Sequence, residues 1–272
     1  MTAAFWVALA VFASGCMHSS IVNRKQLLLV TTAQEMDLGR KAFAATLKKE
    51  NLCANGAAVA NLEAIGKRIA SVSQKPGWAW EFKLINKAKA LNAFALPGGK
   101  VAVYTGLYGP LKNEASLAAV MGHEVAHAIA RHGAERISRN MVVQAGVKAV
   151  DINMQKSAHR ASVLGALGVG ATVGVMLPFS REMELEADGL GLMYMANAGY
   201  DPREAVYFWQ RFSKLGGATP ELLSTHPAGA TRIANLQRLM ATAITLYDKS
   251  AKLGKGRPVA VPTCGSSAPD RP

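Results

Sequence analysis

The stretch Met121-Gly122-His123-Glu124-Val125-Ala126-His127-Ala128-Ile129-Ala130-Arg131-His132 decides how the chain is read. His-Glu-x-x-His on a helix sets two imidazoles at i and i+4, about 40° apart around the axis. Both can reach one Zn²⁺, and the glutamate between them stands close enough to work on water activated by that ion. Such a centre needs a third protein ligand and leaves a fourth position for water or substrate. The helix is expected to run from an N-cap at Asn113 to about Arg136, and Leu117, Val120, Met121, Val125 and Ile129 make it apolar on most sides. Imidazole and carboxylate groups on so buried a helix need partners, and a metal supplies them.

Downstream lies Ser180-Arg181-Glu182-Met183-Glu184-Leu185-Glu186-Ala187-Asp188. Glu184 and Asp188 are i and i+4 and share a helix face, whereas Glu182 and Glu186 point elsewhere. One carboxylate of such a pair can ligate zinc while the other, one turn along, accepts a hydrogen bond from a ligating histidine. The pattern with a third nearby histidine fails, because its glycine and histidine positions hold Ala130 and Gly133. On a continuous helix His132 lies roughly opposite His123, so it does not join the same ion. The third ligand is therefore expected to be a glutamate.

The rest of the chain is read as a mostly helical α+β fold with a small sheet beside the motif helix. Apolar spacing predicts helices over Gln34 to Lys49 and Ala57 to Val72, and Pro76-Gly77 ends that pattern. Trp78 to Ile85 alternates like a strand, and Asn92 to Leu96 with Val101 to Tyr104 flank Pro97-Gly98-Gly99-Lys100 as a hairpin. Its strand Asn92, Ala93, Phe94 and Ala95 offers main-chain partners for an extended peptide. Ala161 to Phe179 carries no charge and is long enough for a membrane span. A single crossing there would hold Glu184 about 30 Å from the histidines. The segment is therefore read as a buried or membrane-touching helix or a cover. Helices follow over Arg181 to Ala198, over Pro202 to Leu215 with Asp201 as cap, and over about Ala230 to Tyr247. Residues 251–272, rich in Pro, Gly and Ser, are expected to be a disordered tail.

Half of the residues are hydrophobic and 18% are charged, which excludes a disordered chain. The net charge of +13 favours acidic surfaces. No basic stripe interleaved with aromatics is present, so anionic lipid ranks above nucleic acid, and no nucleic-acid partner is expected. Met1 to Gly15 is short, uncharged and apolar, as in a secretory signal peptide. Ala13-Ser14-Gly15-Cys16 resembles a bacterial lipobox, with Cys16 as the lipidated residue and residues 16–31 as anchor and polar tether. The expected location is the periplasmic side of a bacterial envelope, as an outer-membrane lipoprotein or, failing lipidation, a soluble periplasmic protein. Cys53 and Cys264 either pair there or remain two thiols. Oligomeric state is open.

Taken together, Asn92 to Gly99, Gly106-Leu107, Asn113-Glu114, the His-Glu-x-x-His helix, Glu184 to Asp188, and His226-Pro227 with Arg232 resemble the zinc metallopeptidase family of HtpX, Oma and the CAAX prenyl proteases. The likeness is strongest to its periplasmic and lipoprotein branch, represented by LoiP and BepA, and runs from about Thr32 to Tyr247. The resemblance implies a gluzincin fold over residues 32–250, with His123, His127 and Glu184 holding one Zn²⁺. Glu124 would be the general base and Asp188 the partner of a zinc-binding histidine. It also implies that His226 can approach the zinc and hold the enzyme latent, and that Arg232 can stabilise the transition state. The activity implied is endopeptidase cleavage of misfolded or misassembled envelope proteins. The alternative is a chaperone-like outer-membrane assembly factor whose protease site is little used.

Overall fold

Residues 16–19, 24–153, 155, 157, 159, 180–215, 222, 226 and 230–265 are described by a computed structural model. Two short strands, β1 (Cys16–Ser19) and β2 (Arg24–Leu27), pair antiparallel. Helix α1 (Thr32–Leu47) starts from a capping box between Thr31 and Gln34, and α2 (Gly56–Ser71) from an Asn55 cap. Then come β3 (Glu81–Ile85), β4 (Ala93–Leu96) and β5 (Lys100–Tyr104), in the spatial order β3-β5-β4. β3 runs parallel to β5, and β4 pairs antiparallel with β5 as the predicted hairpin requires. A 3₁₀ turn (Thr105–Tyr108) and the helices α3 (Glu114–Ile129), α4 (His132–Asn153), α5 (Arg181–Asn197), α6 (Arg203–Phe212) and α7 (Ala230–Lys249) complete the described elements.

α3 lies at the centre, and every residue from Ala115 to Ile129 is buried. Asn113 caps it by accepting from the Ser116 amide, while the Ser116 hydroxyl accepts from the Asn113 amide. β4 lies along one side of α3, α5 packs on another, and α7 covers α5. The α3–α5 contact is backbone on backbone. A Cβ on Gly191 would stand 2.7 Å from the Gly122 carbonyl carbon and from the His123 nitrogen, and one on Gly122 2.8 Å from the Gly191 oxygen. This close approach carries the carboxylates of α5 to the histidines of α3.

Four expectations are corrected. The motif helix does not continue to Arg136. It stops at Ile129, Arg131 takes a left-handed φ of 59°, and α4 starts anew at His132. The break is held from outside: Gln26 Nε2 donates to the Ala130 carbonyl at 2.8 Å, and Arg131 donates to Glu35 at 2.7 Å and to the Val30 carbonyl at 3.2 Å. Bonding of this kind satisfies a carbonyl that a helix end leaves without a partner.

The segment read as a tether is therefore the β1–β2 pair and its contacts. Residues 251–265 of the tail pack against the body of the protein. Lys255 and Arg257 carbonyls accept from the Ala115 and Glu114 amides, which the start of α3 leaves open, and Cys264 forms a disulfide with Cys53. Finally, α6 begins at Arg203 and ends at Phe212, one turn shorter than expected, with Asp201 Oδ1 still accepting from the Arg203 amide at 3.0 Å. The signal-peptide reading of residues 1–15 and the uncharged run 161–179 lie outside the described residues. Among the described residues no helix is long and apolar enough to cross a membrane.

Candidate metal centre

His123 and His127 point from the same face of α3, their Nε2 atoms 3.1 Å apart. The Ser180 cap starts α5 so that Glu184 stands in its first turn. Its Oε1 lies 3.3 Å from His127 Nε2 and its Oε2 3.4 Å from His123 Nε2. His226 joins them, with Nδ1 2.9 Å from Glu184 Oε1 and 3.3 Å from His123 Nε2. One ligand atom from each of the four residues lies within 4.8 Å of all the others, and all four residues are buried. Glu124 is buried beside them, its Oε1 3.7 Å from His226 Nε2 and without a hydrogen bond.

Asp188 and Arg232 close the back of the cluster. Asp188 Oδ1 accepts from His123 Nδ1 at 3.0 Å, and the Arg232 guanidinium grips the Asp188 carboxylate with two bonds of 2.6 and 2.7 Å. Arg232 Nη1 is also 3.0 Å from Glu184 Oε2. The guanidinium stacks 4.0 Å from the Trp209 ring, and the His123 ring meets the same indole edge-on at 5.5 Å. Arg232 is thus engaged with Asp188 and Glu184, behind the histidines. Trp209 carried no signal in the sequence beyond its place in an apolar helix face. Of the strand residues, Asn92 and Ala93 are buried and Phe94 and Ala95 half-buried, in or beside β4, which pairs only with β5 among the described residues. Cys16 opens β1 opposite Leu27.

A further set of contacts comes from residues that the spacing argument set aside. Because α3 breaks, His132 folds back over the motif, and its Nδ1 meets His127 Nδ1 at 3.0 Å. Its Nε2 meets Glu186 Oε2 at 2.9 Å. Arg24, from β2, donates to Glu186 at 2.6 and 3.1 Å and to Glu135 at 2.8 and 2.9 Å. Glu186 does point away from Glu184, as its spacing dictates, and it points at His132. No sequence signal marks the break, since Ala130-Arg131-His132 contains neither proline nor glycine.

Electrostatics follow from burial and charge. Burial opposes ionisation of Glu184, yet hydrogen bonding to His123, His127 and His226 holds it far below the ordinary carboxylate range. Burial disfavours the His123 cation, but Asp188 and Glu184 outweigh it and push His123 up to about 9. His127 goes the other way, driven well down by burial and by the positive charge of its imidazole neighbours. Glu124 is raised, first by burial and then by the charge of Glu184. Burial likewise lowers His132 and keeps it neutral.

These donors fit a zinc ion. His123 donates from Nδ1 to Asp188, which leaves Nε2 as the nitrogen facing His127 Nε2 at 3.1 Å, and the Glu184 oxygens add acceptors at 3.3 and 3.4 Å. One proton relieves one such pair, whereas a divalent cation serves all of them. Ligand bonds of about 2.0–2.1 Å at a tetrahedral angle place donor atoms roughly 3.3 Å apart, which is the spacing found.

Residues 57–240 match the sequence profile of peptidase family M48. The chain is similar to mitochondrial metalloendopeptidase OMA1 of Arabidopsis thaliana, 39% identical over 66% of this chain and 36% of that protein. OMA1 of Schizosaccharomyces pombe is 38% identical over 65% of this chain and 51% of its own length. The β-barrel assembly-enhancing protease of Escherichia coli K12 is 30% identical over 64% of this chain and 37% of its length. The chain therefore spans about a third to a half of the relatives it matches. These similarities overturn the expected placement on the periplasmic side of a bacterial envelope. The relatives from Arabidopsis, both yeasts and cattle are mitochondrial, and the bacterial proteins are the lesser matches. With the profile covering two thirds of the chain and the motif at its structural centre, the chain belongs to peptidase family M48.

Proposed function

We propose that this chain is a zinc metalloendopeptidase of protein quality control, hydrolysing peptide bonds of misfolded or misassembled proteins. The observation that carries the reading is the buried convergence of His123, His127 and Glu184 beside the orphaned Glu124 Oε1. His123, His127 and Glu184 would hold the ion. When bound, zinc acidifies water and polarises a carbonyl. Glu124, raised by its burial, takes the proton from the attacking water on a carboxylate oxygen and passes it to the leaving amine. Asp188 keeps the His123 proton on Nδ1, and Arg232 holds Asp188 in place. The unpaired side of β4 would align an extended substrate beside α3 through main-chain hydrogen bonds. Names of the relatives support the substrate class, and the contact of His226 Nδ1 with Glu184 Oε1 at 2.9 Å supports a resting state that is closed.

The test combines zinc content with casein cleavage, with and without chelator. Purified protein should carry about one zinc per chain and lose cleavage when it is removed. Glu124→Gln should keep the zinc and lose on the order of 10²–10⁴ in rate. Absence of zinc after gentle purification, or cleavage by Glu124→Gln at the parent rate, would sink the reading.

A further inference from the structure

We propose that His132 is a positioning residue that fixes which nitrogen of His127 faces the metal, and that Glu186 and Arg24 set His132 for this role. The inference rests on the zinc reading above.

Glu186, paired with Arg24 by bonds of 2.6 and 3.1 Å, is a carboxylate and can only accept. The contact of 2.9 Å to His132 Nε2 therefore puts the His132 proton on that nitrogen. In the neutral ring the other nitrogen, Nδ1, is then an acceptor. It lies 3.0 Å from His127 Nδ1, so His127 must donate from Nδ1 and carry its lone pair on Nε2. That Nε2 is the atom 3.1 Å from His123 Nε2 and 3.3 Å from Glu184 Oε1. The two ligating histidines are thus oriented by different means. Asp188 sets His123 directly, and a second imidazole relays the order from Glu186 to His127.

The relay depends on the N-terminal segment. Without the break after Ala130 a continuous helix would turn His132 away, and Gln26 and Arg131 hold that break. Arg24 closes the line from the far end and also fixes Glu135 of α4, which keeps α4 and α5 at the separation the contacts need. His132 is fully buried, so no water competes for its nitrogens.

Glu186→Gln tests the chain of donors without changing shape. Arg24 donates to both carboxylate oxygens but most closely to Oε1, at 2.6 Å against 3.1 Å for Oε2, so the amide oxygen takes the Oε1 place and the NH₂ falls at Oε2, facing His132 Nε2. That inverts the His132 tautomer and sets two N–H groups face to face at His127. His132→Leu removes the acceptor, whereas His132→Asn retains one near the Nδ1 position. Zinc affinity of each metal-stripped protein is measured by competition with a chromophoric chelator, and urea unfolding of the same samples reports folding. Glu186→Gln and His132→Leu should each bind zinc about 10–100-fold more weakly than the parent, and His132→Asn should restore most of that loss. The inference is overturned if Glu186→Gln binds zinc as the parent does, or if His132→Asn is no better than His132→Leu. Should His132→Leu fail to fold, Glu186→Gln carries the test alone. A parent protein that binds no zinc would instead sink the metallopeptidase reading, so the two failures are distinguishable.

Discussion

At the scale of single residues, His226 stands where access to the proposed centre would be decided. Its Nδ1 is 2.9 Å from Glu184 Oε1 and its Nε2 3.7 Å from Glu124 Oε1, so it lies between a proposed ligand and the proposed base. A water or scissile carbonyl needs that space. Removing the side chain by His226→Ala should therefore raise casein cleavage, on the order of tenfold if the closed arrangement is favoured by about 1.4 kcal/mol. Steady-state kinetics on the zinc-loaded protein check this, and a fall in cleavage would show that His226 assists the reaction and does not gate it. Arg232 shows how a role changes once partners are known. Beside its matching helix position it resembled a group aimed at the transition state, yet its guanidinium is engaged with Asp188, Glu184 and Trp209. From there it would act on the proposed chemistry through what it holds.

At the scale of elements, the contact between α3 and α5 decides whether there is a site at all. Gly122 and Gly191 let the two backbones touch, and this proximity brings Glu184 to within 3.4 Å of both histidines. A methyl group at Gly191 would meet backbone atoms at 2.7 Å, which no side-chain rearrangement relieves. Gly191→Ala should cost about 1–3 kcal/mol of stability through overpacking. Because a shift of about 1 Å at a catalytic group can cost on the order of 10²-fold, its activity should fall further than its stability suggests. Urea unfolding measured beside kcat/KM checks both parts. Equal and small losses in the two would show that the helices tolerate separation.

The same elements show what could be read in advance. The α3 start at Asn113, the hairpin and the Glu184–Asp188 pair were legible because caps, alternation and i,i+4 spacing are local. The break at Arg131 was not, because its cause lies in Gln26 and Glu35, far away in sequence. The contact of His132 with His127 was missed for that reason, its spacing having been read on a helix that does not continue, and Glu186 was read correctly as pointing away from Glu184 but without the partner that the break delivers to it. Arg24 and Gln26 were hidden in a segment whose polarity suggested a solvated tether.

At the scale of the whole molecule, residues 24–31 and 251–265, read from composition as tether and tail, are parts of the structure. The composition of residues 251–265 resembles a disordered tail, but composition does not count the amides waiting at the start of α3. Glu114 and Ala115 donate to Arg257 and Lys255 carbonyls, Gly254 accepts from the Asp201 amide, and Arg257 Nε donates to Glu114 Oε1 at 2.7 Å. The disulfide from Cys264 to Cys53 anchors this strap across α2. It closes a loop with a sequence separation of 211, and so long a closure restrains the unfolded chain strongly. By the loop-entropy argument the double replacement Cys53→Ser with Cys264→Ser should cost up to about 5 kcal/mol. The centre itself, formed by α3, α5 and His226, touches neither cysteine, so zinc affinity should stay near the parent value while the unfolding midpoint in urea drops. Chelator competition and urea titration on the same preparation separate the two effects. Loss of zinc binding in fully folded variant protein would mean instead that the strap positions the N-terminus of α3, and with it the histidines about two and a half and three and a half turns along.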